Sequence, residues 1–426
     1  MNKLTNLKPL ILESKDGEWG KEEPFGDSVE MMVIRGTDFE EVKIGSLNDV
    51  PHRFIPNIIA QRKKIRPYDI IIETAGGAKN RSTGRTLLIK PSILSRSNCP
   101  VTCASFSRFI RINPHMACSS YIYWVMQYLH KFEFMSQYNT QHTGLSRFQF
   151  TIFSESEKFP LPSFSTQRKI AVVLSTYDDL IENNSRRIKC LEEIMQAIYR
   201  EWFVNFRFPG HKGVRMVESE LGPVPEGWEV KTLDNIMDFQ GGAQPPKNEW
   251  KYEPQNGFVR IIQIRDYDSD QYVSFVKDSE DLRKCSVHDL MIARYGASVG
   301  RICFGLAGAY NVALVKVLPS KEYYREYLRA FLKDDFFQKM LIGMSGRTAQ
   351  AGFNKTNLKS ISLVVPNDDN LLKKYDYLSK LMLENILLLK EKNQNLNYTR
   401  DLLLTKLISG EFDVSSLNIK IAEAEA

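Results

Sequence analysis

No run of about eighteen uncharged apolar residues occurs anywhere in the chain, so no segment reads as a membrane-spanning helix. The opening stretch MNKLTNLKPLILESKDGEWG lacks the apolar core of a signal peptide, and the expectation is a cytoplasmic protein. Cysteine is scarce: Cys99, Cys103, Cys118, Cys190, Cys285 and Cys303 are too scattered for a disulfide framework. Cys99 and Cys103 lie four apart with no second pair to complete a zinc set, so all six are read as buried thiols. The six histidines form no spaced cluster, and no metal site is expected. Also missing are the GxxxxGK[ST] phosphate loop, HExxH, the GxSxG elbow and any CxxC pair. The adenine-methylating signature, Asp/Asn-Pro-Pro-aromatic, is absent, since Pro245-Pro246 follows Gln244 and precedes Lys247. Nuclease-like Glu-x-Lys pairs do occur at Glu41/Lys43, three residues after Asp38, and at Glu229/Lys231. EVK is a common surface-strand sequence, and a metal-binding carboxylate pair would need the acids brought together on adjacent strands. The expected catalytic inventory is empty, with no cofactor in this chain.

What is present begins with charge. The net charge of +6 is modest, but its distribution is uneven. From Pro51 to Arg111 twelve Lys/Arg face only Asp69 and Glu73, and between Phe336 and Ser360 stand Lys339, Arg347, Lys355 and Lys359 with no acid. Two basic patches suggest a polyanion partner; a solvated basic face is the plainer alternative for either alone.

Two long amphipathic stretches dominate the chain. From Ser165 to Phe206, apolar residues recur at Leu174, Tyr177, Ile181, Ile188, Leu191, Met195, Ile198 and Trp202, with Asn184 filling the one gap. These alternating steps of three and four are a heptad seam, and a polar residue in such a seam fixes register. Ser163 or Ser165 caps the start, and Arg207-Phe208-Pro209-Gly210 supplies the stop. From Asn370 to Gly410 the alternation returns at Leu372, Tyr375, Met382, Ile386, Leu389, Leu396, Leu403 and Leu407, again with one polar member, Asn393. Matched length and matched polar interruptions predict one intramolecular coiled coil. Two unrelated core helices, or a coil used only for homodimerisation, are the alternatives.

The regions between repeat one plan. Asp69-Ile-Ile-Ile-Glu73 matches Asp289-Leu-Met-Ile-Ala293, Leu161-Pro162 matches Val365-Pro366, and Ile181-Glu182-Asn183 matches Leu383-Glu384-Asn385. MMVIRGTDF, PYDIIIETAGG, RTLLIKPS and FQFTIFS read as strands in the first copy, with a buried helix over Tyr121 to Phe134. The second copy has strands in GFVRIIQIRDYD, HDLMIARYGASVGRICF, NVALVKVL and LKSISLVVPNDD, and one helix in YREYLRAFLKDDFFQKMLIG. The predicted class is α+β: globules at 1–160 and 211–367, separated by helices at 163–207 and 368–410, with a tail at 411–426.

Two loops in each globule carry the recognition chemistry. The first pair is Thr74 to Arg85, with Lys79, Asn80, Arg81 and Arg85, and Ala293 to Arg301, with Arg294, Tyr295, Ser298 and Arg301. Their glycines allow close backbone approach to phosphate, and their cations suit phosphate or a guanine edge. The second pair is Asn139 to Arg147, with Gln141 and Arg147, and Ser345 to Gly352, with Arg347 and Gln350; Lys355 follows. Glutamine and arginine suit base edges. Hairpin turns bearing solvated cations are the plain alternative for any one of these residues.

The chain resembles the specificity subunits of type I restriction–modification systems. FPLPSFSTQRKIAVVLSTYDDLIENNSRRIKCLEEIMQAIYREWFVNF, ELGPVPEGWEVKTLDNI and LNYTRDLLLTKLISGEF carry the resemblance, and HDLMIARYGASVGR looks like the family's recognition strand. The resemblance implies two target recognition domains, each reading one half of a split site in double-stranded DNA. The paired helices would form an antiparallel coiled-coil spacer that sets the spacing and docks two modification (methyltransferase) subunits, with a motor–nuclease restriction subunit completing the complex. Those partners would use S-adenosylmethionine, ATP and Mg. Arg186, Arg187 and Glu192 are candidate docking residues. The sequence departs from the pattern in two places: NLLKKYDY stands where Gln167-Arg-Lys-Ile would recur, and nothing like the Pro225–Trp228 opening precedes the first domain. A self-contained DNA-modifying enzyme and a coiled-coil scaffold with no DNA role are the competing readings.

Overall fold

The computed structural model describes residues 3–76, 83–142, 145–344 and 358–420. They form two compact units, Met1–Arg187 with Leu389–Ala426, and Ile188–Leu388. Two long helices, Phe164–Tyr199 and Asp369–Ser409, contribute residues to both.

In the first unit Leu174 packs in one core with Leu404, Leu407 and Ile408, while Asn184 bonds to Asn393. In the second unit Met195 packs with Leu383 and Ile386, and the Tyr375 hydroxyl donates to the Met195 carbonyl at 3.4 Å. Tyr199, one turn after Met195, lies near Tyr375 rather than Leu383, so within each unit partners ascend on one helix as they descend on the other and the helices are antiparallel. Ser163 caps the first helix, its Oγ accepting from the Thr166 amide at 3.2 Å. That helix relaxes into a π-turn at Arg200–Val204 and closes where Phe206 takes a φ of 56°. Gly410, with a φ of 80°, ends the second helix.

The first domain has a four-stranded antiparallel sheet in the order Ile11–Asp16, Ser107–Ile112, Ile70–Glu73, Thr86–Leu88. A second sheet pairs Ser28–Ile34 antiparallel with His52–Pro56 and parallel with Val101–Cys103. The second domain repeats both. Met237–Gly241, Leu314–Pro319, Met291–Ala293 and Ile302–Cys303 form the antiparallel sheet. Phe258–Ile262 lies antiparallel to Phe275–Lys277 and parallel to Gly308–Tyr310. The opening of the first domain, which looked absent in sequence, is present as a short strand. Lys3–Thr5 pairs with Phe159–Leu161, as Trp228–Thr232 pairs with Ser362–Pro366.

Four expectations are corrected. FQFTIFS is not a strand beyond Phe148: Phe150, Phe153 and Ser154 are buried at helical spacing, and Phe150–Ser156 is a helix. Glu41 and Lys43 sit on a helical turn, Phe39–Lys43, rather than on a strand, because Phe39 and Val42 face inward three apart. The long helix expected after Tyr323 is two, Arg325–Lys333 and Asp335–Met344. Asp334 divides them with an extended backbone, its carboxylate accepting from the Phe336 amide at 3.0 Å. Finally, Cys190 is exposed, whereas burial pushes the Cys103 thiol up to about 12 and the Cys285 thiol up to about 11. The tail is also not all free, since Val414 is buried against the first unit's core and the Ser415 carbonyl accepts from Lys169.

Candidate nucleic-acid interface

The two domains share bonds, not only strand order. Asp69 accepts from the Arg66 amide at 2.7 Å, and Asp289 from the Ser286 amide at 2.7 Å, each just before the central strand. A cation from the neighbouring strand grips each: Arg111 on Asp69 at 2.8 Å, Lys316 on Asp289 at 2.6 Å. The carboxyls respond in opposite directions. Burial raises Asp69 above the usual aspartate value despite Arg111. Burial acts the same way on Asp289, but Lys316 and Ser286 together outweigh it and hold that carboxyl low. After the strand, the Glu73 amide donates to the Arg85 carbonyl and the Ala293 amide to the Arg301 carbonyl, both at 2.9 Å. Gly84 and Gly300 return the bond to Glu73 and Ala293. Arg85 and Arg301 are therefore equivalent positions, as are Glu73 and Ala293.

In the first domain the structure joins two loops that the sequence offered separately. Ala75–Gly76 pairs with Leu145–Phe148, placing Arg147 opposite Ala75 and Ser146 opposite Gly76. Leu145–Phe148 in turn pairs with Asn139–His142, setting Gln141 opposite Ser146. Gln141 and Arg147 are exposed on this small sheet. Lys79, Asn80 and Arg81 lie outside the described residues.

Arg85 is placed differently from an open phosphate ligand. Its side chain is 13% exposed and grips Glu73 through Nε and Nη2, each at 2.8 Å, while Nη2 also donates to the Gly36 carbonyl at 2.7 Å. The pair lines a cavity of about 600 Å³ together with Trp19, Arg35, Thr83 and Phe106. Sequence reasoning passed over Glu73, Trp19 and Phe106. The available signal was Glu73 itself, one of only two acids in the basic stretch.

That stretch is less basic than its composition. Seven of its ten described cations, Arg53, Lys63, Arg85, Lys90, Arg96, Arg108 and Arg111, form ion pairs, six of them with carboxylates from outside the segment. Arg62, Lys64 and Arg66 are exposed. In the second patch Lys359 is paired with Asp234 and Asp238.

In the second domain the strand Met291–Ala293 leads into a 3-10 turn, Gly296–Ser298, with Ser298 half-buried. Tyr295 is exposed, and the Arg294 guanidinium lies 5.0 Å from its ring centre with a buried Nε that has no hydrogen-bond partner among the described residues. Arg301 is held by both oxygens of Asp268 at 2.7 and 2.6 Å; that contact raises the guanidinium and lowers the carboxyl. Gly300 serves packing rather than ligand approach: it has a φ of 83°, and a Cβ there would press on Leu341. Gly296, with a φ of 73°, faces open space. Arg347, Gln350 and Lys355 lie outside the described residues.

The family described as type I restriction modification DNA specificity domain matches twice, over residues 38–193 and 225–398. The chain belongs to that family. It is a specificity subunit, and the methyltransferase and nuclease activities of such systems reside in other subunits. The chain is similar to the type I restriction enzyme MjaIX specificity subunit of Methanocaldococcus jannaschii, 27% identical over 70% of each chain. It is also similar to the HindI specificity subunit of Haemophilus influenzae, 23% identical over 59% of this chain and 68% of that one. A crystal structure of the type I restriction-modification S subunit from M. genitalium shares the fold, with a TM-score of 0.58 and 14% identity over 95% of this specificity chain and 96% of that one. Among the described residues no helix is long and apolar enough to cross a membrane, and no group of three or more His, Cys, Asp or Glu is placed to hold a metal.

Proposed function

We propose that this specificity subunit reads a bipartite target in double-stranded DNA, one half-site per domain, with the paired helices setting the gap. The observation that carries the reading is duplication with divergence. The bonds that build the two domains recur, while the side chains offered beside the central strand differ. In the first domain the reading surface is assigned to Gln141 and Arg147 on the small sheet, with Lys79, Asn80 and Arg81 contributing from the adjoining loop. In the second it is assigned to Arg294, Tyr295, Ser298 and Arg301, with Arg347, Gln350 and Lys355 from the loop before the last strand. An Arg301→Ala change lowers affinity by about 1–3 kcal/mol if that residue reads a base.

The faces of the helices turned from the seam are assigned to two modification subunits. Leu180, Tyr398 and Leu402 in the first unit, and Ile194, Leu381 and Leu388 in the second, are exposed apolar side chains suited to such a contact. Arg186 and Arg187 are exposed, although Arg186 is paired with Glu182 at 3.8 Å and Glu192 is engaged by Lys333 at 4.0 Å. A restriction subunit completes the complex, and S-adenosylmethionine, ATP and Mg serve the partner subunits.

The test is methylation mapping in cells carrying the modification subunit with and without this chain. The expected result is a two-part methylated motif that appears only with the chain. DNA methylation or cleavage by the purified chain alone would instead favour an enzyme. DNA affinity that is absent, or indifferent to salt, would favour a scaffold.

A further inference from the structure

The cavity in the first domain carries chemistry that its fold does not require. Glu73 is 8% exposed and Arg85 little more, so both lie recessed. Phe106 is 58% exposed and Trp19 37% exposed, which puts two aromatic faces at the mouth. With Arg85 Nε and Nη2 committed to Glu73 and Gly36, Nη1 is the nitrogen left over from those bonds. The floor thus presents a donor and a carboxylate acceptor side by side, in an apolar, half-enclosed space.

The second domain shows what the scaffold does without. Glu73 corresponds to Ala293. Phe106 corresponds to Ala313, because the Thr74 amide donates to the Phe106 carbonyl as the Arg294 amide donates to the Ala313 carbonyl, each at 2.8 Å. Arg301 retains its backbone place but turns to Asp268. Framework residues persist in both copies: Asp69 and Asp289 do, and so do Gly17 and Gly242, where a Cβ would strike a neighbouring backbone carbonyl. At the corresponding described positions the second domain has alanine in place of both Glu73 and Phe106. Divergence at a recessed site built on a shared framework is expected where two copies of a domain take different ligands.

We infer that this cavity takes one nucleobase of the first half-site out of the stack, with Phe106 against its face and Glu73 and Arg85 reading its edge. The inference rests on the DNA-reading proposal above. Glu73 and Arg85 lie recessed beside an aromatic mouth, which suits an extruded base better than an edge still paired in the duplex, and aromatic stacking with edge recognition is how proteins hold such bases. A donor beside a carboxylate suits a base that presents an amino group next to a ring acceptor, adenine or cytosine.

The experiment uses the full complex with the modification subunits, in wild-type form and with Glu73→Gln, Arg85→Lys or Phe106→Ala. Methylated motifs are mapped, and binding is measured to duplexes carrying an abasic site opposite each position of the first half-site. Arg85→Lys and Glu73→Gln are expected to make one position of that half-site degenerate and leave the second half-site unchanged. An abasic site opposite that position is expected to tighten wild-type binding several-fold, since unpairing is already complete. Phe106→Ala, at an exposed side chain whose loss leaves the core intact, is expected to weaken binding about tenfold. Unchanged motifs in Glu73→Gln and Arg85→Lys would overturn the inference, as would abasic substitutions that weaken binding at every position. A wild-type complex that yields no two-part motif would instead overturn the DNA-reading proposal itself.

Discussion

Asn184 and Asn393 meet side chain to side chain: Asn184 Nδ2 donates to Asn393 Oδ1 at 2.9 Å, and Asn393 Nδ2 donates to Ser185 Oγ at 3.2 Å. Each is the polar interruption of its own heptad seam, so the two satisfy one another only when the helices lie antiparallel in this register. Shifting one helix by a heptad would part the two amides and set Asn393 against Tyr177 or Leu191.

Replacing one partner leaves the other amide half-buried with a bond missing. Asn184→Leu alone is expected to lower stability by about 1 kcal/mol. Asn184→Leu with Asn393→Leu is expected to melt above the wild type, because an apolar pair fills the seam. Thermal unfolding followed by circular dichroism reads both. A double variant that melts below the single would remove the pairing argument.

Arg400 ties the second long helix to the first within the first unit. Its Nη1 donates to Asp178 at 2.6 Å, and its guanidinium lies 5.9 Å from the ring centre of Trp124 on the first domain's core helix. Both charges are four-fifths buried. Arg400→Ala strands Asp178 beside an apolar core and is expected to cost about 2–3 kcal/mol in chemical denaturation, toward the low end of the range for a broken buried pair. Arg400→Leu with Asp178→Asn is expected to recover part of that loss.

Much of the architecture was legible because its signals are periodic. Leu174, Asn184, Met195 and Ile386 announce their seam at fixed spacing, and Asp69-Ile-Ile-Ile-Glu73 announces the repeat. The site was legible only in outline. Ala75–Gly76 and Leu145–Phe148 pair across some seventy residues, and no local pattern encodes that register. The charge count misled for the same reason. Arg108 and Arg111 meet Asp16 and Glu13 on the neighbouring strand, so composition along the chain overstated the free positive charge. FQFTIFS failed as a strand because short apolar runs fit both periods until tertiary burial decides between them.

The two framework aspartates set opposite acid responses. Asp289 titrates below its unfolded value of 3.8, so its stabilisation of the second domain is present above pH 3.8 and is lost as pH falls through its folded value. Asp69 titrates above 3.8, so its contribution runs the other way, present below pH 3.8 and lost as pH rises through its folded value. Carboxyl NMR titration is expected to place the Asp69 midpoint above that of Asp289. Lys316→Met is expected to raise the Asp289 midpoint, lowering the second domain's stability above pH 3.8 while shrinking the further loss on acidification. Coincident midpoints would contradict the difference in burial and pairing.

If the paired helices set the gap between half-sites, their length is a ruler that can be recut. One added heptad after Arg187, matched by one before Leu389, preserves the alternation of seam residues on both helices. Seven residues lengthen a helix by roughly 10 Å, about three base pairs at 3.4 Å each. The faces of the helices turn only about 20° over a heptad, whereas three base pairs turn the duplex by roughly 100° at about 10.5 base pairs per turn. The lengthened subunit is therefore expected to methylate a motif with the same two half-sites and a gap about three base pairs wider, bound more weakly than the original. Motif mapping reads the gap, and salt-dependent binding reads the affinity. An unchanged gap would show that the spacing is fixed elsewhere than in the helices.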